Sequence, residues 1–178
     1  MTDIHTDAQR YDKIARLFHW AMALLIAYAA ASILIGDELP RGALRTFLST
    51  THRTAGALVL VLLALRVIWR LFHKPPPLPS TMTPFQQKMA HFGHVSLYVL
   101  MALVPIVGVA LTFRRGGTID FGLFEIVSPL TADRAASKPI KEVHELVAYA
   151  LFALVGVHLA AALWHQFVVR DNIMARMR

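Results

Sequence analysis

Four long apolar runs, separated by charged or proline-rich stretches, limit what this chain can fold into. A helix needs about 20 apolar residues to cross about 30 Å of hydrocarbon. Runs of that kind lie at 18–36 (FHWAMALLIAYAAASILIG), 52–72, 92–113 and 144–169; the second is strongly apolar to Leu65 and then carries Arg66 and Arg70. Lipid offers no hydrogen bonds to a backbone, so each run is expected as a helix. The connections are DELPRGALRTFLST (37–50), the proline-rich HKPPPLPSTMTP (73–84) and RRGGTIDFGLFEIVSPLTADRAASKPI (114–140). The prolines bar a helix from the second. The third is long and full of turn signals, which marks it as a candidate functional loop. A mixed-charge stretch of 17 residues precedes the first run and no small-residue cleavage site follows it, so that run reads as a span and not as a cleaved signal peptide. The expectation is an all-α, integral membrane four-helix up-and-down bundle, a single domain over residues 1–178. An even number of crossings places both termini on one face.

Composition agrees. Apolar residues make up 56% of the chain and charged residues 16%, with a mean hydropathy of +0.52, whereas a soluble domain carries about 25% charge. The net charge of +7 does not indicate nucleic acid, because the charges border apolar runs and form no basic stripe on an exposed helix. Membrane lipid headgroups or anionic cofactor groups are the expected takers. Ten Lys and Arg residues fall on the terminal face and eight on the other, which places both termini in the cytoplasm under the positive-inside rule. The absence of cysteine removes disulfides, thiolate nucleophiles, cysteine-ligated iron–sulfur clusters and c-type haem attachment.

Nine histidines are the opposite anomaly, and seven lie in or at the ends of the runs: His19, His52, His91, His94, His144, His158 and His165. A lone histidine there is as readily a helix–helix hydrogen bond or an interfacial residue; seven together point to function. Topology sorts them. His52 and His144 open the second and fourth spans on the face opposite the termini, and pair by elimination. His19, His91, His94, His158 and His165 lie toward the terminal face. His144 and His158 are 14 residues apart, which returns to within about 40° of one direction at a separation of about 21 Å. Two ligands so placed suit two metal centres, one near each membrane surface. His165 keeps the stripe but reaches the headgroup zone, so His158 matches His19 better in depth; His94 remains an alternative to His19.

Zinc transport would want carboxylates beside the histidines, and non-haem iron wants one in its ligand set; the spans contain almost none. Haem b wants two axial imidazoles from opposing helices and an apolar slot. Gly56, Gly156 and the alanines of the first and fourth spans supply small residues for a slot, and Arg16, Arg53, Arg66, Arg70 and Arg114 are candidate partners for propionates. Each of those arginines alone reads equally as a snorkelling residue.

With these features in place, the sequence resembles the prokaryotic cytochrome b561 family over nearly its whole length. The resemblance is carried by FHW (18–20), THRTAG (51–56), HxxHxxLY (91–98), VPIVG (104–108), RRGG (114–117), KEVHE (141–145), GVHLAAALWH (156–165) and RDNIMARM (170–177). It implies a bacterial inner-membrane, multi-pass cytochrome with cytoplasmic termini and two haems b. It further implies that His19 and His158 hold the cytoplasmic-side haem and His52 and His144 the periplasmic-side one, and that electrons are exchanged with ubiquinone. Some members of the family oxidise superoxide on the periplasmic side.

Two functions compete. One is a quinone-linked oxidoreductase, superoxide:ubiquinone in the sharper form, taking electrons from a small periplasmic donor. For an anionic donor, Arg41, Arg45, Arg53, Arg134, Lys138 and Lys141 are steering candidates, although solvated loop charge explains each of them as well. The other is the cytochrome b subunit of a larger dehydrogenase such as a hydrogenase, which would need a partner-docking surface. For the quinone site, the histidines left after ligation are His165, His91 and His94. Trp164 could bound the ring, or serve as an interfacial belt residue; Arg16 and Asp171 could supply charge or relay protons. His165 leads, because it continues the stripe of His158.

Overall fold

The structure is a computed structural model and describes residues 10–79 and 81–178. The start of the mixed-charge amino-terminal stretch and Ser80 of the proline-rich connection lie outside the described residues. Four helices follow one another up and down: α1 (Lys13–Glu38), α2 (Ala43–Phe72), α3 (Pro84–Arg114) and α4 (Arg134–Trp164). All four are long and apolar enough to cross a membrane.

Each helix outruns its hydropathy signal, most of all at its start. Apolar runs mark only the stretch that lipid requires, whereas local capping decides where the helix begins. Asp12 caps α1 by accepting from the Ala15 amide at 2.8 Å, and the Leu39–Pro40 step ends it. α2 starts at Ala43, so most of the connection drawn at 37–50 is helix; its first two turns, ALRTFLST, mix polar and apolar residues. Thr83 opens α3 with a reciprocal capping box to Gln86, and Pro84 sits where its missing N–H is harmless. Asp133 caps α4 by accepting from Ala136 N at 2.9 Å, and the helix starts at Arg134, ten residues before the predicted span at 144. Pro139 falls inside α4, one residue past the first turn and a half. The fourth run ends differently: after Trp164 the helix loosens into a π turn, His165–Val169, followed by a 3₁₀ turn, Ile173–Met177.

The long third connection is a small folded element. Arg115 and Gly116 close α3, with Gly116 in the left-handed region (φ 67°) that its missing side chain permits. Strands β1 (Thr118–Asp120) and β2 (Glu125–Val127) then pair antiparallel, Ile119 opposite Ile126. Ile119 is buried, and the Thr54 hydroxyl donates to the Asp120 carbonyl, which docks the hairpin on α2 beside His52.

Helices pack in chain order, α1 on α2, α2 on α3 and α3 on α4; among the described residues α4 has no comparable close packing with α1 or α2. The buried core is one layer of Met22, Val59, Leu63, Met101 and Leu151. Leu151 lies midway between His144 and His158 along α4, about 10 Å from each, so this layer separates the two ends of the bundle. The first and last described residues of the chain meet on one face, where the Tyr11 amide donates to the Arg176 carbonyl at 3.1 Å.

Candidate functional site

On the face opposite the termini, the rings of His52 (α2) and His144 (α4) stand 6.3 Å apart, centroid to centroid. On the terminal face those of His19 (α1) and His158 (α4) stand 6.4 Å apart. An imidazole nitrogen binds a transition metal at about 2 Å and lies about 1 Å from its ring centroid, so two imidazoles on opposite sides of one iron stand about 6 Å apart. Both pairs meet that spacing, and each bridges helices that do not pack closely on one another. His94 (α3) is 5.8 Å from His158, so distance alone leaves it a rival to His19, as the sequence did. Among the described residues no three His, Asp or Glu side chains converge as a zinc or non-haem iron site requires.

The first pair is also oriented by hydrogen bonds. His52 Nδ1 lies 2.8 Å from the Ala29 carbonyl of α1, and His144 Nδ1 lies 3.1 Å from the Val104 carbonyl of α3. A carbonyl only accepts, so both Nδ1 atoms carry a proton, which leaves Nε2 as the atom through which each ring, as a neutral imidazole, would bind a metal. Such partners fix the tautomer and aim of a ligating histidine. Gly108 completes the seat of His144: a Cβ there would meet the ring's Cε1 at 3.0 Å. By contrast, a Cβ at Gly56 or Gly156 would meet nothing within 4 Å. Two facing imidazole pairs and a glycine-lined approach fit haem b.

The arginines divide. Arg41, Arg45 and Arg53 line one recess on the face of His52, with Thr46 and Ser49. Arg53 follows His52 directly; it donates to Thr50 Oγ1 at 3.0 Å, while its buried Nε has no hydrogen-bond partner. Arg45 is tied to Asp37 at 3.2 Å. Arg134, Lys138 and Lys141 lie on the early turns of α4, outside that recess; Lys141 pairs with Glu145. Arg114 is engaged by Asp133 at 3.4 Å. Arg66 and Arg70 both lie over the Tyr98 ring, at 5.5 and 5.6 Å, on the terminal side of the core.

Of the quinone-site candidates, His165 is partly buried and its Nδ1 lies 2.6 Å from Asp171 Oδ2. Arg16 and Trp20 reach the carboxyl-terminal segment: Arg16 Nη1 donates to the Arg178 carbonyl and Trp20 Nε1 to the Met177 carbonyl. Buried Arg176 donates to the Pro77 carbonyl. Residues 170–178 therefore form a strap joining the end of α4 to the start of α1. Trp164 is 58% exposed, the position of a belt residue. His91 is exposed on α3 and His94 faces the His158 ring.

Sequence reasoning missed the strap, the carbonyl partners of His52 and His144, and the role of Gly108. The last had a signal in VPIVG, where a glycine one turn after a proline suggests a close approach.

Four spanning helices carrying two facing imidazole pairs define a membrane b-type cytochrome. The family model described as prokaryotic cytochrome b561 matches residues 10–178, and the chain belongs to that family of haem-bearing membrane electron-transfer proteins. It is 31% identical over 170 residues to a protein of Yersinia pestis named probable superoxide oxidase CybB, covering 95% of this chain and 96% of that one. It is 29% identical over 169 residues to cytochrome b561 homolog 1 of Escherichia coli (strain K12), covering 94% and 96%.

Proposed function

We propose that the chain is a superoxide:ubiquinone oxidoreductase of the bacterial inner membrane, with its termini in the cytoplasm. His52 and His144 hold one haem b toward the periplasm, and His19 and His158 hold a second toward the cytoplasm. When bound, haem iron supplies a one-electron couple, so a one-electron donor can be matched to a two-electron acceptor. The chain's own residues do the rest. Arg41, Arg45 and Arg53 draw a small anion to the recess beside His52 by raising the local potential. Ala29 and Val104 hold the imidazoles in the tautomer that ligates. At the terminal face His165 and Arg16 serve the quinone headgroup, imidazole being the side chain that exchanges protons near neutral pH.

The recess lined by Arg41, Arg45 and Arg53, the last next to His52 in sequence, is the observation that carries the choice of donor, and the name of the Yersinia relative supports it. Two superoxide anions give two dioxygen molecules and two electrons; ubiquinone takes those electrons and two protons to become ubiquinol. Rapid mixing of the oxidised protein with superoxide tests the reading: the haem bands should reduce within the mixing experiment and reoxidise only when quinone is present. Haem that stays oxidised under superoxide removes it as the donor. Haem that reduces but does not reoxidise with quinone removes the acceptor.

A further inference from the structure

Asp171 carries a buried carboxylate in the strap that follows α4 and its π turn. Its side chain is 4% exposed and that of its partner His165 is 12% exposed. The backbone goes out of its way to bring the two together. The π turn sends the Arg170 amide to the His165 carbonyl at 2.7 Å, and π turns recur at functional sites. Arg170 (φ 59°) and Asn172 (φ 56°), on either side of Asp171, both adopt the left-handed conformation. Asparagine tolerates it; arginine does so reluctantly, and such strain collects where function needs it. The return path sets Oδ2 2.6 Å from His165 Nδ1, while Oδ1 accepts from the Ile173 amide at 3.2 Å. Beside this pair, Gln166 Oε1 is buried without a hydrogen-bond partner.

We infer that Asp171 is the positioning residue of a His–Asp dyad that delivers protons to the quinone. This deepens the reading of His165 given above and rests on it. A carboxylate only accepts, so Nδ1 carries the proton and Nε2 is left as the working atom. Nε2 takes a proton from water at the terminal face, and the buried carboxylate offsets the charge of the imidazolium so formed. Delivery breaks the Nε2–H bond and makes an O–H bond on the quinone. Two such passes, with the two electrons drawn from the donor, complete the quinol. A purely structural Asp171, present only to start the 3₁₀ turn through Ile173, would do none of this.

Asp171→Asn separates the two roles. With Oδ1 held by the Ile173 amide, the asparagine must turn its NH₂ toward His165. Nδ1 then has to accept, and the proton moves to Nε2. The same substitution in a serine-protease triad preserves geometry and imposes the wrong tautomer. The test uses the full haem-loaded chain, labelled with ¹⁵N-histidine and held in its reduced, diamagnetic state, with His165 assigned by its loss in His165→Gln. Wild type should show Nδ1–H and Asp171→Asn should show Nε2–H. Haem content should be unchanged, KM for a short-chain ubiquinone should stay within about two-fold, and kcat for its reduction should fall about ten-fold or more. Asp171→Glu, which keeps an acceptor, should retain Nδ1–H and recover part of the rate. Nε2–H in wild type, or a switched tautomer with unchanged kcat, or an unswitched one, each overturns the positioning role. Unchanged quinone reduction in His165→Gln instead overturns the reading on which it rests, whatever the tautomer of wild type.

Discussion

Gly108→Ala is the smallest change that addresses the seat of His144 directly. The added Cβ would stand 3.0 Å from His144 Cε1, where ordinary contact begins at 3.4 Å. Helix backbone yields little on the α3 side, so the ring must move by about 0.4 Å to reach ordinary contact. Its Nδ1 is already 3.1 Å from the Val104 carbonyl, near the long end of the range for such bonds. A shift of that size breaks or badly bends the bond, at a loss of about 1 kcal/mol, and overpacking adds about 1–3 kcal/mol. Loss of an orienting partner lowers metal affinity by about 10–100-fold. The expected protein therefore folds and inserts, keeps the haem of the terminal-face pair, and gives up the other readily. Pyridine haemochrome assay before and after incubation with a haem-scavenging apoprotein reads this as a ratio falling from two haems per chain toward one. Retention of both haems at the wild-type rate would refute the claim that Gly108 seats an axial ligand.

His52→Ala and His144→Ala should each leave one haem of two, because no other described histidine on that face stands close enough to replace either; two haems by the same assay in either variant would break the pairing. His94→Ala should keep both haems while His19→Ala should not, and the reverse result would move the ligand to α3 despite the 6.4 Å spacing of His19 and His158. Arg41→Gln with Arg45→Gln should slow haem reduction by superoxide and flatten its dependence on ionic strength; a rate and salt slope like wild type would return these arginines to ordinary loop charge. Burial acts to raise the Asp12 carboxyl, but hydrogen bonds from the Ala15 amide and Trp69 outweigh it and leave the group below its usual value. A lowered pKa means stability present at neutral pH and lost as pH falls through the folded-state value, so Asp12→Ala should lower the thermal midpoint at pH 7 but not in strong acid; an equal loss at both would assign the effect to packing.

Four spans, their order and the two ends of the bundle were legible because lipid imposes length and apolarity on every crossing residue. Seven histidines stood out for the same reason: a polar ring at that depth contrasts with everything around it. The helix starts were less legible, because Asp133 and Thr83 act through single hydrogen bonds that hydropathy averages away. His94 against His19 stayed open in the sequence and stays open by ring distance, since α1 and α3 both bring a histidine to the same side of His158. The His165–Asp171 contact was hidden by its route. Six residues separate the two, and a continuing helix would carry them to different faces; only the π turn and the left-handed pair at 170 and 172 bring them together.

The distribution of packing explains why α4 carries a ligand for both pairs. Only 6% of its most apolar stretch is buried, against 22% for α3, and among the described residues its close neighbour of the other three long helices is α3 alone. Helices in lipid gain little from burying apolar surface on one another, since lipid tails are as apolar as leucine. What joins α4 to α1 and α2 must therefore be specific: the strap beyond α4 is hydrogen-bonded to Arg16 and Trp20 of α1, and at the two ends His158 faces His19 and His144 faces His52. If each pair closes on one metal, binding free energy becomes folding free energy. The fourth helix is then held at both ends by the same bonds that would make the protein an electron carrier, and its midpoint by little more than Leu151.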